Sequence, residues 1–128
     1  MTILIQVSPG ELIDKLTILE VKLDHMSDPA KLANVRREHD MIKQTLRENV
    51  ADTPALAKLI AELKATNLAL WTIEDLIRNH EREGNFGDSF VQLARSIYRI
   101  NDERAAIKRR INVLLDSAIG EEKSYANY

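Results

Sequence analysis

An all-α fold, a four-helix bundle of two antiparallel helical hairpins with a short N-terminal strand, is what this sequence predicts, on three observations. Apolar residues recur alternately three and four apart over four long segments. All three prolines follow a capping residue, in Ser8-Pro9, Asp28-Pro29 and Thr53-Pro54, and so mark helix starts. Gly84 and Gly120 stand where two of the apolar patterns stop.

The 128 residues make one domain, 1–128, large enough to bury a core without staples. Hydrophobic residues at 45% interleaved with charged residues at 30% are the balance that amphipathic helices need, and they argue against disorder. Cysteine is absent, which excludes disulfides, thiolate metal sites and cysteine nucleophiles and suits a reducing compartment, so a cytoplasmic protein is expected. Ile3 to Ile5 is too short an apolar run for a signal peptide, and nothing approaches the roughly 20 apolar residues of a membrane span. A formal charge of -2 provides no pull on nucleic acid or anionic lipid; neither is expected as a partner.

Residues 2–7 alternate, with Ile3, Ile5 and Val7 on one face, and predict a strand that needs a pairing partner. Helix 1 is expected over about 9–26 on Leu12, Leu16, Leu19, Leu23 and Met26, with Ser8 and Glu11 forming a reciprocal capping box. Glu11 and Lys15 are also spaced for an intrahelical pair. The brief Ser27-Asp28-Pro29 link turns the chain back into helix 2, about 29–48, on Leu32, Val35, His39, Ile42 and Leu46; His39 holds a position where an apolar residue is expected. Helix 3, about 54–83, runs from Leu56 to Ile77 and is roughly 45 Å long. Gly84-Asn85-Phe86-Gly87 ends it. Helix 4, about 88–118, carries Phe90, Leu93, Ile97, Ile100, Arg104, Ile107, Ile111 and Leu114, and a polar tail with Tyr125 and Tyr128 fills 119–128. The second hairpin is longer than the first can cover, which predicts a homodimer through its exposed seam.

Candidate chemistry lies on helices 3 and 4. Asn67, Trp71, Glu74, Arg78 and Glu81 step by four and three, forming a polar stripe beside the apolar seam. Arg95, Tyr98, Asp102 and Arg109 form a second stripe, while Asn101, Arg104 and Lys108 lie on or near the seam of helix 4. A turn near Asn85 puts Asn67 level with Arg104 and Glu74 within about two turns of it. A buried Arg104 requires a carboxylate or carbonyls. Two readings follow. Either Arg78, Arg95, Arg104 and Lys108 surround a cleft for an anionic small molecule, with Trp71 and Tyr98 as walls and Glu74 or Asp102 as acid or base, or these residues are ion pairs that fix helix register. Asp14 and Lys15 join the candidates if helix 1 faces the stripes. His25, His39 and His80 fall on separate helices with no ligand-pair spacing, and no phosphate loop or nucleophile elbow occurs, so neither metal nor cofactor is expected.

The stretches Val7-Ser8-Pro9-Gly10-Glu11-Leu12-Ile13-Asp14-Lys15, Leu70-Trp71-Thr72-Ile73-Glu74-Asp75-Leu76-Ile77-Arg78, Ile100-Asn101-Asp102-Glu103-Arg104-Ala105 and Glu121-Glu122-Lys123-Ser124-Tyr125 together resemble a family of small bacterial proteins catalogued as a domain of unknown function. That resemblance covers nearly the whole chain and implies a stand-alone bacterial protein without naming a substrate. Glu11-Leu12-Ile13-Asp14 alone is similar to the first helix of the all-helical chorismate mutases, small intertwined dimers with Arg, Lys and Glu in their sites. Those enzymes project an arginine from that helix, where this chain has Lys15 and Lys22. The function expected from these features is a non-enzymatic helical assembly or adaptor module, and the alternative is a pocket for an anionic metabolite.

Overall fold

A computed structural model of the chain describes residues 1–116 and contains four helices: α1 (Pro9–His25), α2 (Pro29–Asn49), α3 (Pro54–Glu83) and α4 (Asp88–Leu114). The three Pro-marked starts are capped as their sequences dictate. Ser8 Oγ accepts from Glu11 N at 3.2 Å, Asp28 Oδ1 from Ala30 N at 3.0 Å, and Thr53 Oγ1 from Leu56 N at 3.2 Å. At the far end of α3, Gly84 adopts φ +68°, a left-handed conformation that lets the helix close its last carbonyls.

α1 is the hub: it packs against each of the other three helices. Its two apolar sides serve different neighbours. Ile13 joins Leu56 and Leu63 of α3 and Ile107 and Ile111 of α4, whereas Leu16 and Leu19 meet Ile42 of α2. α2 lies outside α1, and only Leu46 and Val50 at its end reach the cluster around Ile13. α3 and α4 form a hairpin whose direction is fixed at both ends, by His80 Nε2 on Ser89 Oγ at 2.9 Å near the turn and Arg110 on Glu62 at 3.4 Å far from it. α1 crosses the base of this hairpin from the Asn112 end of α4 towards Trp71 of α3, where His25 and Trp71 rings lie 5.9 Å apart.

Beyond that crossing the hairpin stands alone. No side chain between Leu68 and Arg104 is buried, although the seam there is apolar. Leu68, Leu76, Phe86 and Val91 are exposed.

Four expectations need correction. No strand occurs among the described residues: residues 1–7 have no regular structure, and Ile3, Leu4 and Ile5 are 77–90% exposed, because an alternating segment without a neighbouring edge has nothing to bond its backbone. α4 stops at Leu114, with Asp116 at φ +49°, short of the expected 118; Gly120, Tyr125 and Tyr128 lie outside the described residues. The capping box is only half formed, since the Glu11 carboxylate leaves the helix end for Lys108 Nζ at 2.8 Å. For the same reason the Glu11 and Lys15 pair is absent, and Lys15 Nζ meets Glu38 of α2 at 2.8 Å. His39 is a largely covered seam residue, with Nδ1 3.1 Å from Asp40 and Nε2 3.6 Å from Glu20.

Candidate functional site

Polar residues from three helices meet where α1 crosses the hairpin. Asp14, 2% exposed, receives Arg104 through two bonds, Nε to Oδ1 at 2.9 Å and Nη2 to Oδ2 at 2.5 Å. Asn67 Nδ2 donates to Asp14 Oδ1 at 3.0 Å, and Lys108 Nζ stands 3.8 Å from Oδ2. Burial by itself raises the carboxyl's pKa. The hydrogen bonds from Arg104 and Asn67, with the charges of Arg104 and Lys108, outweigh it and hold Asp14 below the usual carboxylate range. Around this centre Thr17 Oγ1 donates to the Asp14 carbonyl at 2.8 Å, Arg104 Nη1 donates to Asn101 Oδ1 at 3.4 Å, and Gly10 N donates to Asn112 Oδ1 at 2.8 Å. These bonds lock α1 onto both helices of the hairpin at one register.

Next to this network, in the groove between α3 and α4 that α1 leaves open, is a cleft of about 570 Å³. Asn67, Trp71, Glu74, Asp75 and Arg78 of α3 line one side, and Ile97, Asn101 and Arg104 of α4 the other. α1 adds Ile18 and Val21, so the arginine that the chorismate mutases project from their first helix has no counterpart here. Arg78 Nε is 3.7 Å from Glu74 Oε2, one turn away on the same helix, and its side chain is 77% exposed at the rim.

The structure thus brings Asp14, Asn67, Arg104 and Lys108 into one network and Asn67, Trp71, Glu74, Arg78, Asn101 and Arg104 around one cleft. It does not bring in Lys15, which faces α2, nor Arg95, Tyr98 and Asp102, which are exposed outside the cleft lining. Asn67 and Arg104 are level, as their spacing from the turn requires. Among the described residues Arg104 meets a carboxylate from α1, Asp14. Sequence reasoning missed Thr17, Asp75 and Asn112. Asn112 had a visible signal, for Arg104, Lys108 and Asn112 are spaced by four and share one side of α4; Thr17, three residues after Asp14, had a weaker one.

The model of one family, described as a family of unknown function (DUF6165), matches residues 3–128. No curated protein and no solved structure matches the chain significantly.

Proposed function

The chain belongs to a family of unknown function (DUF6165), and from its own geometry we propose that it is a helical assembly module in which two copies pair along their distal α3–α4 hairpins. One observation carries this: from Leu68 to Arg104 an apolar seam continues with no buried side chain. Two helices can cover only one side of each other, and Leu70, Ile73, Ile77, Leu93, Ile97 and Ile100 remain half-buried. A second hairpin of the same length would complete a four-helix layer.

Charge permits a second copy as the occupant. Over this stretch α3 carries Glu74, Asp75, Glu81 and Glu83 against Arg78 and Arg82, and α4 carries Asp88, Asp102 and Glu103 against Arg95, Arg99 and Arg104. Both signs are interspersed on each helix, so a two-fold arrangement that lays α3 of one copy on α4 of the other can set the acidic residues of α3 beside Arg95 and Arg99, twice. The polar network around Asp14 fits this reading as a register device, because its charged groups satisfy each other inside one chain.

Multi-angle light scattering at micromolar concentration is expected to give twice the chain mass of 14.6 kDa. The Leu76→Glu/Val91→Glu variant, altered at two exposed positions, is expected to give the single-chain mass with unchanged helical circular dichroism. A wild-type protein that runs as a single chain overturns the proposal.

A further inference from the structure

One wall of the cleft presents an acceptor to which no described residue donates. Asn67, 6% exposed, gives its amide hydrogens to α1, one to Asp14 Oδ1 at 3.0 Å and one to Thr17 Oγ1 at 2.9 Å. Chemistry fixes the orientation of this amide. An ionised carboxylate only accepts, and the Thr17 hydroxyl has given its hydrogen to the Asp14 carbonyl at 2.8 Å, so its oxygen can only accept as well. Asn67 Oδ1 is the amide atom left to the cleft, and no described residue donates to it.

The charges around the cleft point the same way. Of its two guanidinium groups, Arg104 is matched by Asp14 through two hydrogen bonds, and Arg78 lies beside Glu74 at the rim. Asp75 remains, a carboxylate without an ion pair among the described residues. An anion entering here would meet Glu74 and Asp75 and would compete with Asp14 for Arg104. With the Arg104 guanidinium held by Asp14, a cation would meet the Asp75 carboxylate, the Glu74 carboxylate shared with Arg78, and a carbonyl oxygen. It would also meet the ring of Trp71, whose π-face attracts ammonium and guanidinium groups. Ile18, Val21, Leu70 and Ile97 supply apolar surface for a short carbon chain, and about 570 Å³ lies within the range of small-molecule sites, roughly 300–1,000 Å³.

We propose that the cleft binds a small organic cation, an alkylammonium or alkylguanidinium, laid on Trp71 with its N–H groups on Asn67 Oδ1 and the carboxylates of Glu74 and Asp75. The sequence offers an anionic ligand as its alternative reading; the pairing of Arg104 with Asp14 and of Lys108 with Glu11 and Asp14 favours a cation over it. The cleft shares Leu70, Glu74, Asp75 and Ile97 with the face proposed to meet a second copy, so binding is measured both on the wild type and on the Leu76→Glu/Val91→Glu variant, which keeps every cleft residue and separates failure of binding from failure of assembly.

Trp71 is the only tryptophan of the chain, so its emission reports on this cleft alone. Butylguanidinium and butanoate, similar in size and opposite in charge, are titrated into the full chain at constant ionic strength. Butylguanidinium is expected to change the emission saturably, and butanoate to leave it unaltered. In the Glu74→Gln/Asp75→Asn variant, exposed at both positions and checked for native helicity, the affinity for butylguanidinium is expected to fall at least tenfold. Saturation by butanoate, a linear response to butylguanidinium, or undiminished affinity in the variant would each overturn the proposal.

Discussion

Asp14 is stable as a buried anion only because three hydrogen bonds and two cations converge on it. Its lowered pKa has a sign that stability must follow. A carboxylate held below its unfolded value, about 3.9, contributes stability that is complete above that pH and is lost as pH falls through the folded value. Urea midpoints measured from pH 7 down to pH 2 should therefore drop in acid, and the Asp14→Asn variant should show a smaller drop from a lower plateau. The plateau difference at pH 7 is expected to be about 2–3 kcal/mol, somewhat under the 3–5 typical of a fully buried broken pair, since Arg104 retains contact with water. An unchanged plateau would mean that Arg104 finds equivalent hydration elsewhere. The sequence marked Asp14 as a candidate conditional on which way helix 1 faces, and marked Arg104 as needing a carboxylate. It could not join the two. Which side of α1 meets the hairpin depends on packing between segments 90 residues apart, and no local pattern encodes that.

Helix boundaries, by contrast, are local and were legible. α3 begins at Pro54 and ends at Glu83 as expected, because Thr53-Pro54 and Gly84 are signals contained in a few residues. Asn67 and Arg104 came out level because the four-residue turn fixes the register of the hairpin. The segment 2–7 misled for the complementary reason: alternation is local, but a strand exists only when an edge is offered to it. Gly10 is a subtler instance. Within the capping sequence it looks incidental, yet a Cβ there would sit 2.6 Å from the Lys108 carbonyl oxygen and 2.9 Å from Asn112 Oδ1. The helix tolerates glycine at this position so that α1 can seat directly on the backbone of α4. Gly10→Ala should therefore destabilise the protein by about 1–3 kcal/mol in urea despite alanine's better helix propensity, the cost of forcing apart a packed contact. A variant as stable as the wild type would show that α4 can yield at Lys108.

On the scale of the whole molecule, the chain divides into a packed base, where α1 binds the hairpin, and a distal arm that carries an uncovered seam. The cleft lies at the junction, bounded on one side by the base's polar network and open towards the arm. The extra length of α3 and α4 over α1 already told of the arm in the sequence. The cleft did not appear in it as such, because a groove is defined by where α1 stops, and that is a property of three helices together.

The hub position of α1 also bears on the order in which the molecule closes. Helix α1 precedes in the chain both cations that its Asp14 carboxylate meets, since Asp14 must wait for Arg104 and Lys108 of α4. Until then its carboxylate is hydrated at no cost, while Leu16 and Leu19 can already rest on Ile42 of the neighbouring α2. Closing so long a loop is entropically costly, and it is rewarded only after the hairpin exists. Asp14→Asn is accordingly expected to speed unfolding and to leave the refolding rate nearly unchanged in stopped-flow chevrons, with a φ-value near zero. A φ-value near one would place the network in the folding nucleus, and the base would then assemble around its charges before its apolar cluster.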